Sequence, residues 1–123
     1  MKSILIVFGT RPEFIKLLPI IIYLNKIKNI KLYVCNTGQH KELLKPFLHF
    51  YKVDIDFNLK VFKSNQSLSE LSSKLFLKVD NLLDKLKPNC LIVQGDTSTS
   101  FVSSLSAFYN NIKIFIRLID LNA

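Results

Sequence analysis

A chain of 123 residues with 49% hydrophobic side chains has the size of one domain and enough apolar material for a packed core without disulfide staples. Its formal charge of +8 comes from 17 basic residues, of which only Arg11 and Arg117 are arginines and the rest are lysines scattered along the chain; that pattern reads as solvated faces and argues against a specific nucleic-acid surface. Residues 15–24 are interrupted by Lys16 and Pro19, short of the roughly 18–20 apolar residues of a membrane span, and residues 4–8 are too short for a signal-peptide core of about 7–15 residues, so a cytoplasmic chain with no membrane partner is expected.

The first element, residues 3–8 (SILIVF), is apolar throughout and ends in a turn, as does a strand covered on both faces. From Pro12 onward Phe14, Ile15, Leu18, Ile21, Ile22 and Asn25 recur at helical spacing; Pro12 falls in the first turn, where its missing N–H is harmless, and Pro19 should kink the helix without ending it. Residues 30–36 (IKLYVCN) read as a second strand, TGQH as a loop, and residues 41–51 as a helix made irregular by Pro46. Residues 53–62 alternate enough for a short third strand. Ser67 and Glu70 form a capping-box pattern ahead of a helix with Leu68, Leu71, Leu75, Val79, Leu82 and Leu86 on one face. Pro88 stops that helix, residues 90–96 (CLIVQGD) form a buried strand ending in a turn, and a Thr/Ser-led helix to Tyr109 precedes a fifth strand near Lys113. Cys35 and Cys90, without a CxxC spacing, read as core thiols, and His49, among Leu48, Phe50 and Tyr51, reads as a structural residue.

Strands alternating with helices predict an α/β fold, a doubly wound parallel sheet of Rossmann type. Such sheets bind ligands beyond the carboxyl ends of their strands, where GTRPE, TGQH and GDTSTS all fall. In the first loop Gly9 allows close approach, the helix start offers free N–H groups, and Arg11 and Lys16 add positive charge; the alternative is a surface bridge between Arg11 and Glu13. Neither GxGxxG nor the GxxxxGK[ST] spacing is present, so neither a dinucleotide fingerprint nor a P-loop is indicated. Asp96 can act as an acid or base in the crevice or cap the following helix. Gln39 and His40 offer neutral donors and acceptors.

Taken in order and spacing, FGTRPEFIKLLP, TGQH, NQSLSEL and VQGDTSTS resemble the amino-terminal half of the non-hydrolysing UDP-N-acetylglucosamine 2-epimerases, over residues 4–115. The resemblance implies one Rossmann-like half, residues 1–123, of a glycosyltransferase-B type two-domain fold. It also implies interconversion of UDP-GlcNAc and UDP-ManNAc by elimination and readdition of UDP, with no cofactor and no metal. By motif it places Gly9, Arg11 and Lys16 near the nucleotide phosphates, makes Asp96 a catalytic carboxylate, and sets Gln39, His40 and Gln66 at polar cleft positions where some members bind a second, regulatory UDP-GlcNAc.

After the fifth strand the family carries a histidine-valine-glutamate-alanine-glycine-leucine-arginine motif, whose glutamate is catalytic. Here the chain reads FIRLIDLNA, so residues 116–123 are a divergent tail and the expectation is a truncated copy without the carboxyl-terminal domain. Arg117-Leu118 is what glutamate-alanine codons read one base late can yield; Ile119 is not what a following glycine codon would give. Two functions follow: half of an epimerase, inactive alone and with a separately encoded carboxyl-terminal half or a second copy as partner, or a stand-alone nucleotide-binding or interaction module.

Overall fold

Five parallel strands and four helices alternate along the chain in a computed structural model that describes residues 1–38, 44–95 and 97–117. They are β1 (Lys2–Phe8), α1 (Arg11–Asn25), β2 (Ile30–Asn36), α2 (Lys45–Tyr51), β3 (Phe57–Asn58), α3 (Leu68–Leu86), β4 (Cys90–Gln94), α4 (Ser98–Tyr109) and β5 (Lys113–Arg117). The strand order is β3-β2-β1-β4-β5, which starts from the middle and winds outward in both directions as in a Rossmann sheet. In register, Phe8 lies beside Asn36 and Asn36 beside Asn58, and on the other side Gln94 lies beside Arg117. The carboxyl ends of all five strands therefore share one edge.

The two faces bury separate cores. One gathers Leu5, Val7, Leu91 and Val93 with Leu75, Val79, Leu83 and Val102 from α3 and α4; the other gathers Ile6, Phe8 and Val34 with Phe14, Leu17 and Ile21 of α1. Alternating strand residues thus go to opposite layers, as the pleat requires. β1 is inaccessible from Leu5 to Phe8, in keeping with its unbroken apolar sequence.

Several expected details are corrected. α1 buries Leu17 and Leu24 and leaves Ile15 exposed, because its inward stripe begins at Glu13 and Phe14 rather than one residue later. Pro19, as expected, does not end α1, which runs on through it. Pro46 falls in the first turn of α2, where it starts the helix instead of disturbing it; residues 41–43 of the expected helix lie outside the described residues. The third strand shrinks to two residues. Its flanks still bond to the β2 edge through Asp56 N–H to the Val34 carbonyl and Val61 N–H to the Thr37 carbonyl, but Lys60 at φ 51° breaks the extended run. Ser67 caps α3 by accepting from Glu70 N–H at 3.0 Å, while Leu68 stays exposed and Leu83 joins the core. His49 is exposed on the last turn of α2 rather than packed. Cys35 is buried, whereas Cys90 is only partly so, since it opens β4 at the amino edge.

Candidate functional site

The three loops at the carboxyl edge are bonded to one another. Thr10 caps α1 and Pro12 sits in its first turn, so that Glu13, third in the helix, turns inward. Glu13 is 4% exposed, and its carboxylate accepts from Gly9 N–H at 3.3 Å, Thr10 Oγ1 at 2.7 Å and Thr97 Oγ1 at 3.0 Å. It therefore ties the loop after β1 to the loop after β4. Thr37, following β2, donates its backbone N–H to the Phe8 carbonyl at 2.9 Å and shares a hydroxyl–hydroxyl bond of 3.1 Å with Thr99.

Gly9 and Gly38 are explained by contact. A Cβ on Gly38 would strike the Gly9 carbonyl oxygen, and one on Gly9 would strike the Thr99 and Thr37 hydroxyls. In this structure the missing Cβ of Gly9 makes room for those two threonines. Gly95, at φ 74°, adopts the left-handed turn that glycine takes without strain, and its N–H bonds to the Arg117 carbonyl at 2.8 Å.

The sequence-selected cations separate. Arg11, the first residue of α1, is exposed and holds its guanidinium over the Phe47 ring, 5.1 Å from the centroid. Its expected alternative partner, Glu13, is engaged elsewhere. Lys16 is also exposed, but five residues of helix turn it about 140° away from Arg11, so the two side chains leave α1 from different faces. Gln66 accepts from Lys63 N–H and donates to the Val61 carbonyl, both at 3.2 Å. Through Val61 N–H and the Thr37 carbonyl this loop joins the same edge. Beside it lies an open polar recess of about 570 Å³ bordered by Lys63, Gln66, Glu70 and Lys74. There the neighbouring Lys63, with some desolvation and the charge of Lys78 added, holds the Lys74 ammonium below the ordinary lysine range.

Asp96, Gln39 and His40 lie outside the described residues. The cap of α4, the alternative role for Asp96, is made by Thr97, whose hydroxyl accepts from Ser100 N–H at 3.2 Å. The local sequence pattern does not mark Glu13 as a clamp, Thr37 and Thr99 as a buried pair, or Gln94. The last is 2% exposed and accepts from Arg117 Nη1 at 3.3 Å, and its Nε2 is buried without a partner among the described residues. The available signal was a lone polar residue closing the apolar run CLIVQ. Among the described residues no group of three or more His, Cys, Asp or Glu side chains is placed to hold a metal, and no helix is long and apolar enough to cross a membrane.

The sequence model of the UDP-N-acetylglucosamine 2-epimerase family matches residues 23–115. The chain belongs to this family. The UDP-N-acetylglucosamine 2-epimerase of Neisseria meningitidis serogroup A is 42% identical over 112 residues, or 91% of this chain. That of Campylobacter jejuni is 41% identical over 113 residues. The chain spans about 30% of the length of each of these relatives. Among solved structures, the Neisseria meningitidis UDP-GlcNAc 2-epimerase bound to UDP-GlcNAc superposes with a TM-score of 0.86 at 41% identity, over 93% of this chain and 31% of that one. The Methanocaldococcus jannaschii UDP-GlcNAc 2-epimerase in complex with UDP-GlcNAc and UDP superposes at 0.81 with 34% identity, over 94% of this chain and 32% of that one. The Rossmann-like parallel sheet of this chain is thus the epimerase-family fold over its own length.

Proposed function

We propose that this chain forms the amino-terminal, Rossmann-like wall of a cytoplasmic UDP-N-acetylglucosamine 2-epimerase. That enzyme interconverts UDP-GlcNAc and UDP-ManNAc by elimination and readdition of UDP. The observation that carries the reading is the bonding of the three motif loops into one carboxyl edge through Glu13 and the Thr37–Thr99 pair. Such an edge is where an open α/β sheet receives its ligand.

Elimination takes a proton from C2 of the sugar and expels UDP from C1; readdition returns UDP to C1 and a proton to the opposite face of C2. No net oxidation occurs, so the reaction calls for no redox cofactor. In this reading Asp96, between the Gly95 turn and the Thr97 cap, exchanges a proton with the sugar. Arg11 and the first N–H groups of α1 face the diphosphate, where negative charge builds as UDP departs. Gly9 keeps that loop low, Lys16 contributes to the field along α1, and Gln39, His40 and Gln66 line the neighbouring cleft.

One carboxylate cannot serve both faces of C2. Loss of an acid or base typically removes about 10²–10⁴-fold in rate, and exclusion of water from the sugar requires a second wall. The chain alone is therefore inactive and works with polypeptide corresponding to the carboxyl-terminal domain, whether in a monomeric or a homodimeric assembly. The test is incubation with UDP-GlcNAc in deuterated water, with and without the part of the Neisseria meningitidis enzyme that this chain does not span. The isolated chain should give neither deuterium at C2 nor UDP-ManNAc. The complemented chain should give both, and Asp96→Asn should abolish them. Turnover by the isolated chain, or complemented turnover indifferent to Asp96→Asn, would overturn the reading.

A further inference from the structure

Arg11 and Phe47 belong to different helices and meet at the carboxyl edge. Both helices start there: α1 opens with Arg11 behind the Thr10 cap, and α2 opens with Lys45 and Pro46. They lie on the same face of the sheet, since Phe14, Leu17 and Ile21 of α1 share one core with Leu44, just ahead of α2, and with Phe47 and Leu48 inside it. That packing sets the first turn of α2 beside the first turn of α1. The Arg11 guanidinium lies 5.1 Å from the centroid of the Phe47 ring, within the range of a cation–π contact. Pro46 fixes the backbone of the turn that carries the ring, and Phe47 is half-buried against the core. The ring is thus the anchored partner, and the exposed arginine is the one with rotamers to lose.

The start of α1 has little else to offer an anion. Pro12 has no N–H, the Glu13 N–H bonds to the Thr10 hydroxyl at 3.4 Å, and that of Phe14 bonds to the Thr10 carbonyl at 3.1 Å. The Arg11 side chain, with its five N–H donors, outweighs the backbone here. The Glu13 carboxylate is occupied by Gly9, Thr10 and Thr97, not by Arg11. An exposed arginine gives up rotamer freedom when it grips a ligand, and fixing it beforehand lowers that cost. A guanidinium held by its charge over a ring keeps its planar N–H fork available for two phosphate oxygens. We propose that Phe47 is a positioning residue for nucleotide binding: its ring preorganises Arg11 at the carboxyl edge, so that the guanidinium meets the diphosphate with its rotamer already chosen. This rests on the functional reading above, in which Arg11 faces the diphosphate.

The experiment is an NMR titration of the isotopically labelled 123-residue chain with UDP, repeated on Phe47→Leu, Phe47→Trp, Arg11→Ala and the Arg11→Ala, Phe47→Leu double variant. In the free native chain the ring should shift the Arg11 side-chain protons upfield, and Phe47→Leu should remove that shift while leaving the β1 amides in place. Phe47→Leu should weaken UDP binding by about two- to fivefold, the equivalent of the roughly 0.5–1 kcal/mol of an exposed cation–π contact. Phe47→Trp should restore native affinity or exceed it, because indole presents the best π face. With Arg11 already replaced by alanine, Phe47→Leu should have no further effect. Should Phe47→Leu unfold, Phe47→Met takes its place in every arm. Native affinity in Phe47→Leu while Arg11→Ala binds more weakly, an equal loss from Phe47→Leu with and without Arg11, or the lack of an upfield shift would each overturn the proposal. UDP affinity indifferent to Arg11→Ala would instead sink the assignment of Arg11 to the diphosphate, whatever the ring contact shows.

Discussion

Replacing Glu13 tests whether the functional edge is held together as described. Its buried carboxylate accepts from one backbone N–H and two hydroxyls, and the 3.0 Å bond to Thr97 crosses between loops that are 84 residues apart in sequence. Hydrogen bonds to a charged acceptor contribute about 1.5–3 kcal/mol each. Here the 3.3 Å bond is weak and the Thr10 hydroxyl can turn to water, so Glu13→Ala should destabilise by about 2–4 kcal/mol. Urea unfolding followed by circular dichroism would show a lower midpoint at unchanged slope. Thr97→Val removes the interloop bond together with the α4 cap, at about 1–2 kcal/mol. In a double-mutant cycle Glu13→Gln and Thr97→Val should couple by about 1 kcal/mol. A Glu13→Ala loss under about 0.5 kcal/mol, the range of a neutral surface change, or a coupling near zero, would refute the clamp.

Gly38→Ala should destabilise by about 2 kcal/mol or more, since the new methyl meets the Gly9 carbonyl, which cannot yield as a side chain would; a thermal melt that does not shift would contradict the close approach. Burial, and secondarily Asp56, push the Cys35 thiol up to about 12, so native chain should react slowly with a thiol reagent at pH 8 and mainly at the half-buried Cys90; prompt labelling of Cys35 would contradict its burial. Because the folded value lies above the unfolded one, Cys35 contributes stability that is complete below about pH 9 and falls as pH rises toward 12, by at most about 1.4 kcal/mol per unit. Cys35→Ala should therefore flatten the alkaline decline in urea midpoint, and a parallel decline would count against this linkage. Calorimetry with UDP should find weak binding to the native chain and weaker binding to Arg11→Ala; equal affinities would remove Arg11 from the site.

The sheet was legible because β1 and β4 carry apolar runs and β2 and β5 are rich in apolar and β-branched residues: residues 30–36 and the start of the fifth strand near Lys113 coincide with β2 and β5. Where the prediction slipped, local pattern was overruled by position. Residues 53–62 alternate like a strand, yet only Phe57–Asn58 pairs, since the segment runs along an edge and turns at Lys60. Arg11 and Glu13 stood out as residues needing a reason, but sequence offered their mutual pairing. The partner that Glu13 takes, Thr97, is distant in sequence and identifiable only once β1 and β4 are adjacent. Gly9 and Gly38 likewise read as ligand-facing or turn glycines until the loops that crowd them are in place.

The most direct test of the carboxyl edge as a nucleotide-sugar site is an NMR titration of the isolated, isotopically labelled chain with UDP at millimolar concentrations, where weak binding is still visible. Saturable shifts are expected to concentrate on the amides of Gly9, Thr10, Arg11, Glu13, Thr37, Gly38, Gly95 and Thr97, and to be lost in Arg11→Ala. Shifts confined to α3 and α4, or an unaltered response in that variant, would contradict it.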